Sequence, residues 1–192
     1  MSKHSPVRSI SPFYEARGEF AVSRSEVLNA IEVSAHILGR FSCHLVFESL
    51  EGVAIAIPDN PLSEKRVRLG RAPHTLLFTG RDIDGADGAI GVCNRLKMGR
   101  RIVESKIMVT AEPGLSLVDP TCSALVGTTV HEISHSFALD HCKDPVCIMH
   151  AAATLEGFSS ILSGEPFCDS CTEDLELASF SELAHNLRSQ DI

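Results

Sequence analysis

The sequence predicts an α+β fold, on three observations. Short apolar, β-rich runs recur through the middle of the chain, and stretches with apolar residues at helical spacing precede and follow them. Four cysteines in two close pairs then mark a separate C-terminal segment. In chain order, Met1 to Pro12 is polar, holds two prolines and is expected to be a mobile terminus. Ser23-Arg24-Ser25-Glu26 has the form of a capping box, and Val27, Leu28, Ile31, Ala35 and Leu38 repeat at helical spacing until Gly39 closes the helix. Runs at Cys43 to Phe47, Val53 to Ile57, Thr75 to Thr79, Ala89 to Cys93 and Ile107 to Thr110 read as strands of one sheet. Pro58 to Pro73 is polar and proline-punctuated, so a long surface loop is expected there. From Pro120 the spacing becomes helical again through Phe137, with Leu125, Thr129, Ile133 and Phe137 on one stripe for the sheet. A short helix within Ala151 to Ile161 and a C-terminal helix over Glu173 to Leu187 complete the reading.

The chemistry concentrates in one place. His131-Glu132-Ile133-Ser134-His135, followed by His141, Cys142, Cys147 and Met149, puts three imidazoles, a carboxylate and two thiols within nineteen residues. These are the donor groups of zinc. On a helix His131 and His135 are one turn apart on the same face, so both can reach one ion, and Glu132 lies beside it as a candidate general base. His141 follows beyond the helix end and supplies a third imidazole if the chain turns back. Three protein ligands leave a fourth position open, which distinguishes a catalytic zinc site from a structural one. The bland alternative is an exposed helix with unconnected histidines. Cys142 and Cys147, paired with Cys168 and Cys171 about twenty residues later, have the spacing of a closed tetrahedral zinc site. Buried thiols, a redox CxxC or a disulfide remain alternatives for them. Cys43, Cys93 and Cys122 sit in apolar sequence and read as core residues.

The run HEISHSFALDHC resembles the extended motif HExxHxxGxxH of the metzincin metallopeptidases, and Met149 resembles the methionine of the turn beneath their metal. A cysteine directly after the third histidine, then CxxxxCxM and a later CxxC, resembles the archaemetzincin family in particular. The resemblance covers about forty residues closely. It implies a metzincin-like fold: an α/β-type upper lobe with a mixed sheet, a backing helix and an active-site helix, and a small zinc-stapled C-terminal lobe. Residues 1–192 would form a single metallopeptidase domain, 1–141 the upper lobe and 142–192 the lower. The implied activity is hydrolysis of peptide bonds by a zinc-activated water, with two zinc ions per chain. His131, His135 and His141 would hold the catalytic ion, Glu132 would be the general base, and Cys142, Cys147, Cys168 and Cys171 would hold a structural ion. The family also implies that a peptide lies along an edge strand beside the zinc, here Gly88 to Cys93. One departure is Ala138, which stands where the family has a glycine that leaves the helix with positive φ. It supports the alternative reading, a proteolytically weak zinc protein that uses the same cleft to bind peptides or a partner.

Composition bounds the rest. A chain of 192 residues with 44% hydrophobic content can bury a substantial core as one domain. A net charge of −8 argues against nucleic acid as a partner. Met1 to Phe13 has no apolar core segment of a signal peptide, and no apolar run approaches membrane-spanning length, so no membrane association is expected. Cysteines meant for zinc fit a reducing, cytoplasmic setting. Arg95, Lys97, Arg100, Arg101 and Lys106 form a basic segment that reads as a solvated loop or turn, with contact to an acidic peptide as the functional alternative. Asp82 to Gly88 lacks the glycine and glutamate positions of a calcium loop and reads as a polar turn. His36, His44, His74 and His185 lack ligand partners at useful spacing, and His150 either packs or lines the cleft.

Overall fold

In the computed structural model, which describes residues 7–16, 21–53, 72–80, 90–98, 101–110, 124–151, 160–161 and 163–188, the sheet has six strands. These are β1 (Val7–Glu15), β2 (His44–Phe47), β3 (Glu51–Val53), β4 (His74–Thr79), β5 (Gly91–Met98) and β6 (Arg101–Thr110). The helices are α1 (Arg24–Gly39), α2 (Ala124–Ser136) and α3 (Asp169–Arg188). The spatial order is β2-β1-β4-β6-β5, with β3 also paired to β1. All pairings are parallel except β5 with β6, so the sheet is mixed and β5 ends the order. Residues 58–71 of the loop expected at 58–73, the polar turn at 82–88, most of the helix at 151–161, and the Arg100, Cys122 and His185 side chains lie outside the described residues.

The N-terminal segment corrects the sequence reading. Val7 to Pro12 belongs to β1, an interior strand hydrogen-bonded on both sides, rather than to a mobile terminus. Its polar residues are satisfied inside the protein. Arg8 is 6% exposed, donates to the Ile102 carbonyl and to His74 Nε2, and lies 4.7 Å over the Phe137 ring. Pro12 has no N–H for a ladder, but pairing with β2 ends at Ile10 and pairing with β3 begins at Phe13. The missing donor falls in that interruption, where a central strand tolerates proline.

Helix α1 begins as the sequence suggests, with Ser23 as N-cap accepting from the Glu26 N–H. Its buried stripe is Val27, Ala30, Ile31, Ser34, Ile37 and Leu38. Gly39 ends the helix, but the left-handed residue that turns the chain is Ser42, with φ 61°. Helix α2 packs on α1, β5 and β6 and is buried nearly all round. Its polar residues are compatible with that position because Thr129 and Ser134 donate to the carbonyls four residues earlier. One apolar core joins Ile10, Leu76, Phe78, Ile107 and Val109 of the sheet to both helices, and it continues through Ile148, Met149, Phe167 and Leu175 beneath α2. The C-terminal helix α3 begins at Asp169, four residues before the expected start, which places Cys171 in its first turn.

The basic segment is also corrected. Arg95 and Lys97 lie in β5, and Arg101 and Lys106 in β6, so the charges sit on an antiparallel pair rather than on a loop. Strand pairing overrides the polar composition there, because β6 also buries Ile102, Ile107, Met108 and Val109.

Candidate metal centre

Helix α2 carries His131 and His135 one turn apart, and the chain then reverses at once. Phe137 and Ala138 close tight turns onto the Ser134 and His135 carbonyls, and Ala138 adopts φ 71°. This is the left-handed conformation expected where the family has glycine, and it brings His141 back over the helix. The Nε2 atoms of His131, His135 and His141 lie 3.2 Å from one another in every pair.

The ring orientations are fixed from behind. His131 Nδ1 donates to the Ile148 carbonyl at 2.6 Å, and His135 Nδ1 donates to the Leu139 carbonyl at 2.7 Å. Carbonyl oxygens only accept, so both Nδ1 atoms carry the proton. Burial, together with His141, holds the His131 pKa at about 4, and burial does the same for His135, each against the bond to its carbonyl. Both rings are therefore neutral at pH 7, and their Nε2 atoms present bare lone pairs. The 3.2 Å approach of those two atoms is then no hydrogen bond. It is a repulsive contact unless a cation lies between them. Three imidazole nitrogens held by zinc at about 2.0–2.1 Å in a tetrahedral array are about 3.3 Å apart, so the spacing suits the ion.

Glu132 stands beside this triad, with Oε1 4.0 Å from His131 Nε2. It is 5% exposed, and its Oε2 is buried without a hydrogen-bond partner among the described residues. Burial pushes its pKa up to about 8, moderated by the Arg95 charge. Strand β5 passes so close that a Cβ on Gly91 would lie 2.6 Å from Glu132 Oε1 and 2.6 Å from Thr128 Cγ2. Only glycine fits at that crossing. Arg95, two positions beyond Cys93, donates to the Leu139 carbonyl at 3.0 Å and to Asp140 Oδ1 at 2.7 Å. Its bond holds the Asp140 carboxyl below the usual range. Gly91 and Arg95 were not singled out as site residues by the sequence. Arg95 appeared only within the basic segment, and Gly91 has no motif around it.

The second cluster lies directly below. Cys142, Cys147, Cys168 and Cys171 bring four Sγ atoms within 4.8 Å of one another, compatible with the roughly 3.8 Å separations of a tetrahedral zinc with bonds of about 2.3 Å. No disulfide joins them. Cys147 Sγ accepts from the Met149 and Cys168 N–H groups, both at 3.4 Å. Burial raises the Cys147 thiol to about 12, and burial raises Cys171 also. For Cys168 burial is outweighed by the Cys171 N–H and the neighbouring thiols, and its pKa falls. The two clusters share a segment: Ile148, whose carbonyl orients His131, lies between Cys147 and fully buried Met149. Cys142 N–H donates to the Met149 carbonyl at 3.0 Å, closing a bridge from Cys142 to His150. Among the other thiols Cys43 is fully buried, while Cys93 is only half-buried and faces Glu132. His74 is buried and satisfied by Arg8 and Ser105; His36 and His44 are exposed.

A mixed sheet backed by one helix, with a second helix presenting HExxH and a third histidine, brings together three imidazoles that could hold one metal ion. Residues 122–177 match the model of peptidase family M54. No curated protein matches the chain. Among solved structures, the archaemetzincin of Methanopyrus kandleri is similar at 17% identity with a TM-score of 0.59, over 89% of this chain and 94% of that one. Metalloproteinase-II of Bacteroides fragilis is similar at 13% identity with a TM-score of 0.54, over 93% of this chain and 54% of that one. The archaemetzincin resemblance read from the motif is borne out by the family match over residues 122–177 and by the similarity of fold across most of the chain.

Two expectations follow. A left-handed alanine carries strain of about 1–2 kcal/mol that glycine relieves, so Ala138→Gly should raise the denaturant midpoint of the zinc-loaded protein without changing its metal content. A lower midpoint would contradict the turn geometry. For Glu132, the folded state binds its proton more tightly than the unfolded chain, with pKa about 8 against 4.5. Its contribution to the metal-free protein is thus present below the unfolded value and is lost as pH rises through 8. Metal-free Glu132→Gln should therefore gain on the wild type between pH 5 and 8. A pH-independent difference between their denaturation curves would mean the carboxyl is solvated.

Proposed function

We propose that this chain hydrolyses peptide bonds with zinc and a glutamate general base. The observation that carries the reading is the buried Glu132 Oε2, without a partner among the described residues, beside three converging imidazole nitrogens. His131, His135 and His141 would hold the catalytic ion. Zinc bound there supplies Lewis-acid polarisation of the scissile carbonyl and lowers the pKa of water to about 7. Glu132 takes the proton from the attacking water on Oε2 and delivers it to the departing amine. Its raised pKa suits a group that must first accept and then release a proton near neutrality. A neighbouring dication favours the charged carboxylate and so readies it as the base. The Ile148 and Leu139 carbonyls keep the Nδ1–H tautomers and thus leave both Nε2 atoms free to hold an ion, which would bind between them.

Cys142, Cys147, Cys168 and Cys171 would hold a second, structural zinc, giving two ions per chain. The chain then works as one domain, 1–141 above the cleft and 142–192 below. Peptide or protein substrates would add an extended strand along β5, whose outer edge is unpaired among the described residues. This extends the edge expected at Gly88 to Cys93 as far as Met98; residues 88 and 89 are outside the described residues. The net charge of −8 disfavours nucleic acid as a partner, and among the described residues no helix is long and apolar enough to cross a membrane. The six free cysteines among the described residues suit a cytoplasmic setting. The alternative, a proteolytically weak binding protein, rested on Ala138 misplacing His141. The observed turn at Ala138, with the three Nε2 atoms converged, favours hydrolysis instead.

Zinc-loaded wild-type protein should cleave members of a mixed peptide library, and Glu132→Ala should slow this by about 10²–10⁴ with zinc content unchanged. Wild-type rates in Glu132→Ala would rule out the general base. Cys168→Ser should release about one equivalent of zinc and lower the melting temperature, because metal binding and local folding are one free energy at a closed site. An unchanged zinc count by metal analysis would remove the cysteines from the ligand set.

A further inference from the structure

Arg95 makes its contacts far from its own strand. Its guanidinium reaches from β5 across the C-terminal end of α2, where it donates to the Leu139 carbonyl at 3.0 Å, approaches the His135 carbonyl at 3.5 Å and pairs with Asp140 Oδ1 at 2.7 Å. These acceptors all lie between the second and third histidines of the triad. The Leu139 carbonyl also accepts from His135 Nδ1 at 2.7 Å, so one oxygen ties together the arginine, the histidine ring and the turn. That turn contains Ala138 in the left-handed conformation, which disfavours it locally. Something outside the turn must hold it closed, and a basic side chain over the last carbonyls of a helix is well suited to the task. Among the described contacts Arg95 is the side chain that reaches these carbonyls from another element.

We propose that Arg95 is a positioning residue for the histidine metal site: it clamps the 138–140 turn onto β5 and thereby sets the direction of His135 and the placement of His141. This rests on the reading of the three histidines as ligands. The carbonyl bonds carry the effect, not the ion pair, since Asp140 is 71% exposed and a solvated pair contributes little. The clamp also links the two halves of the site, because β5 is the strand proposed to receive the peptide.

The test uses full-length, zinc-loaded protein and the rate of zinc loss to a chelator in excess. His141→Ala identifies the phase that belongs to the histidine site. Arg95→Met, which keeps the apolar stem but no donor, is expected to accelerate that phase about 10–100-fold, the usual effect of removing a group that orients a metal ligand. It should also lower kcat on a peptide more than it raises KM. Arg95→Lys should recover only part of the loss, because an ammonium cannot span carbonyls and a carboxylate as a planar fork does. Asp140→Ala should stay within about twofold of wild type if the carbonyls dominate, as solvated pairs are weak. A lowered melting temperature with wild-type zinc loss in Arg95→Met would make Arg95 merely structural and overturn the proposal. If Arg95→Met fails to fold, wild-type zinc loss in Arg95→Lys overturns it equally. If wild type and His141→Ala lose zinc identically, the ligand reading itself falls, and this inference with it.

Discussion

The geometry of the site depends on two hydrogen bonds from imidazole to main chain. His131 and His135 each commit Nδ1 to a carbonyl, Ile148 and Leu139 respectively, and this is what leaves both Nε2 atoms bare and facing each other. The two carbonyls belong to different segments, one from the tight turn after α2 and one from the cysteine-rich segment below it. Neither segment is regular structure. Each is held instead by contacts from elsewhere: the first by Arg95, the second by the Pro166 carbonyl, which accepts from the Ile148 N–H, and by the Cys168 N–H, which donates to Cys147 Sγ. The histidine face of α2 is thus shaped by loops that two other parts of the molecule position.

This arrangement explains why α2 is buried so completely. Its outward face is not solvent but β5, close enough that Gly91 has no room for a Cβ against Glu132 and Thr128. Such proximity excludes water from the carboxylate, and burial raises its pKa. A carboxyl on an exposed helix would remain near its ordinary value and ionised, without the raised proton affinity that Glu132 has here. The strand beside the helix therefore tunes the acid.

The histidines, Glu132 and the four cysteines were legible in the sequence because their spacing is short and their residue types are uncommon in combination. The helices α1 and α2 were legible for a similar reason, through capping and periodicity. Strand β1 was not. Arg8 and Pro12 suggest a solvated terminus, and only the tertiary partners Phe137, His74 and Ile102 show why an arginine is buried there. Strands β5 and β6 were underestimated because their charged residues hide the alternation. Arg95 contacts Leu139 forty-four residues away, and main-chain carbonyls carry no residue-type signature. Contacts of that kind cannot be read from spacing.

The hairpin of β5 and β6 has a further consequence for how this fold can vary. Gly91 and Arg95 are separated by an even number of positions and so share a face, one clearing space for Glu132 and the other gripping the turn. A single residue inserted between them would turn Arg95 away and press a side chain toward the helix. The pairing with β6 becomes irregular only beyond Leu96, where Lys97 and Met98 are exposed. Change in length is therefore confined to the tip. The hairpin behaves as a ruler with a fixed root and a free end, and related chains can diversify what lies above the cleft while the five residues from Gly91 to Arg95 keep their count.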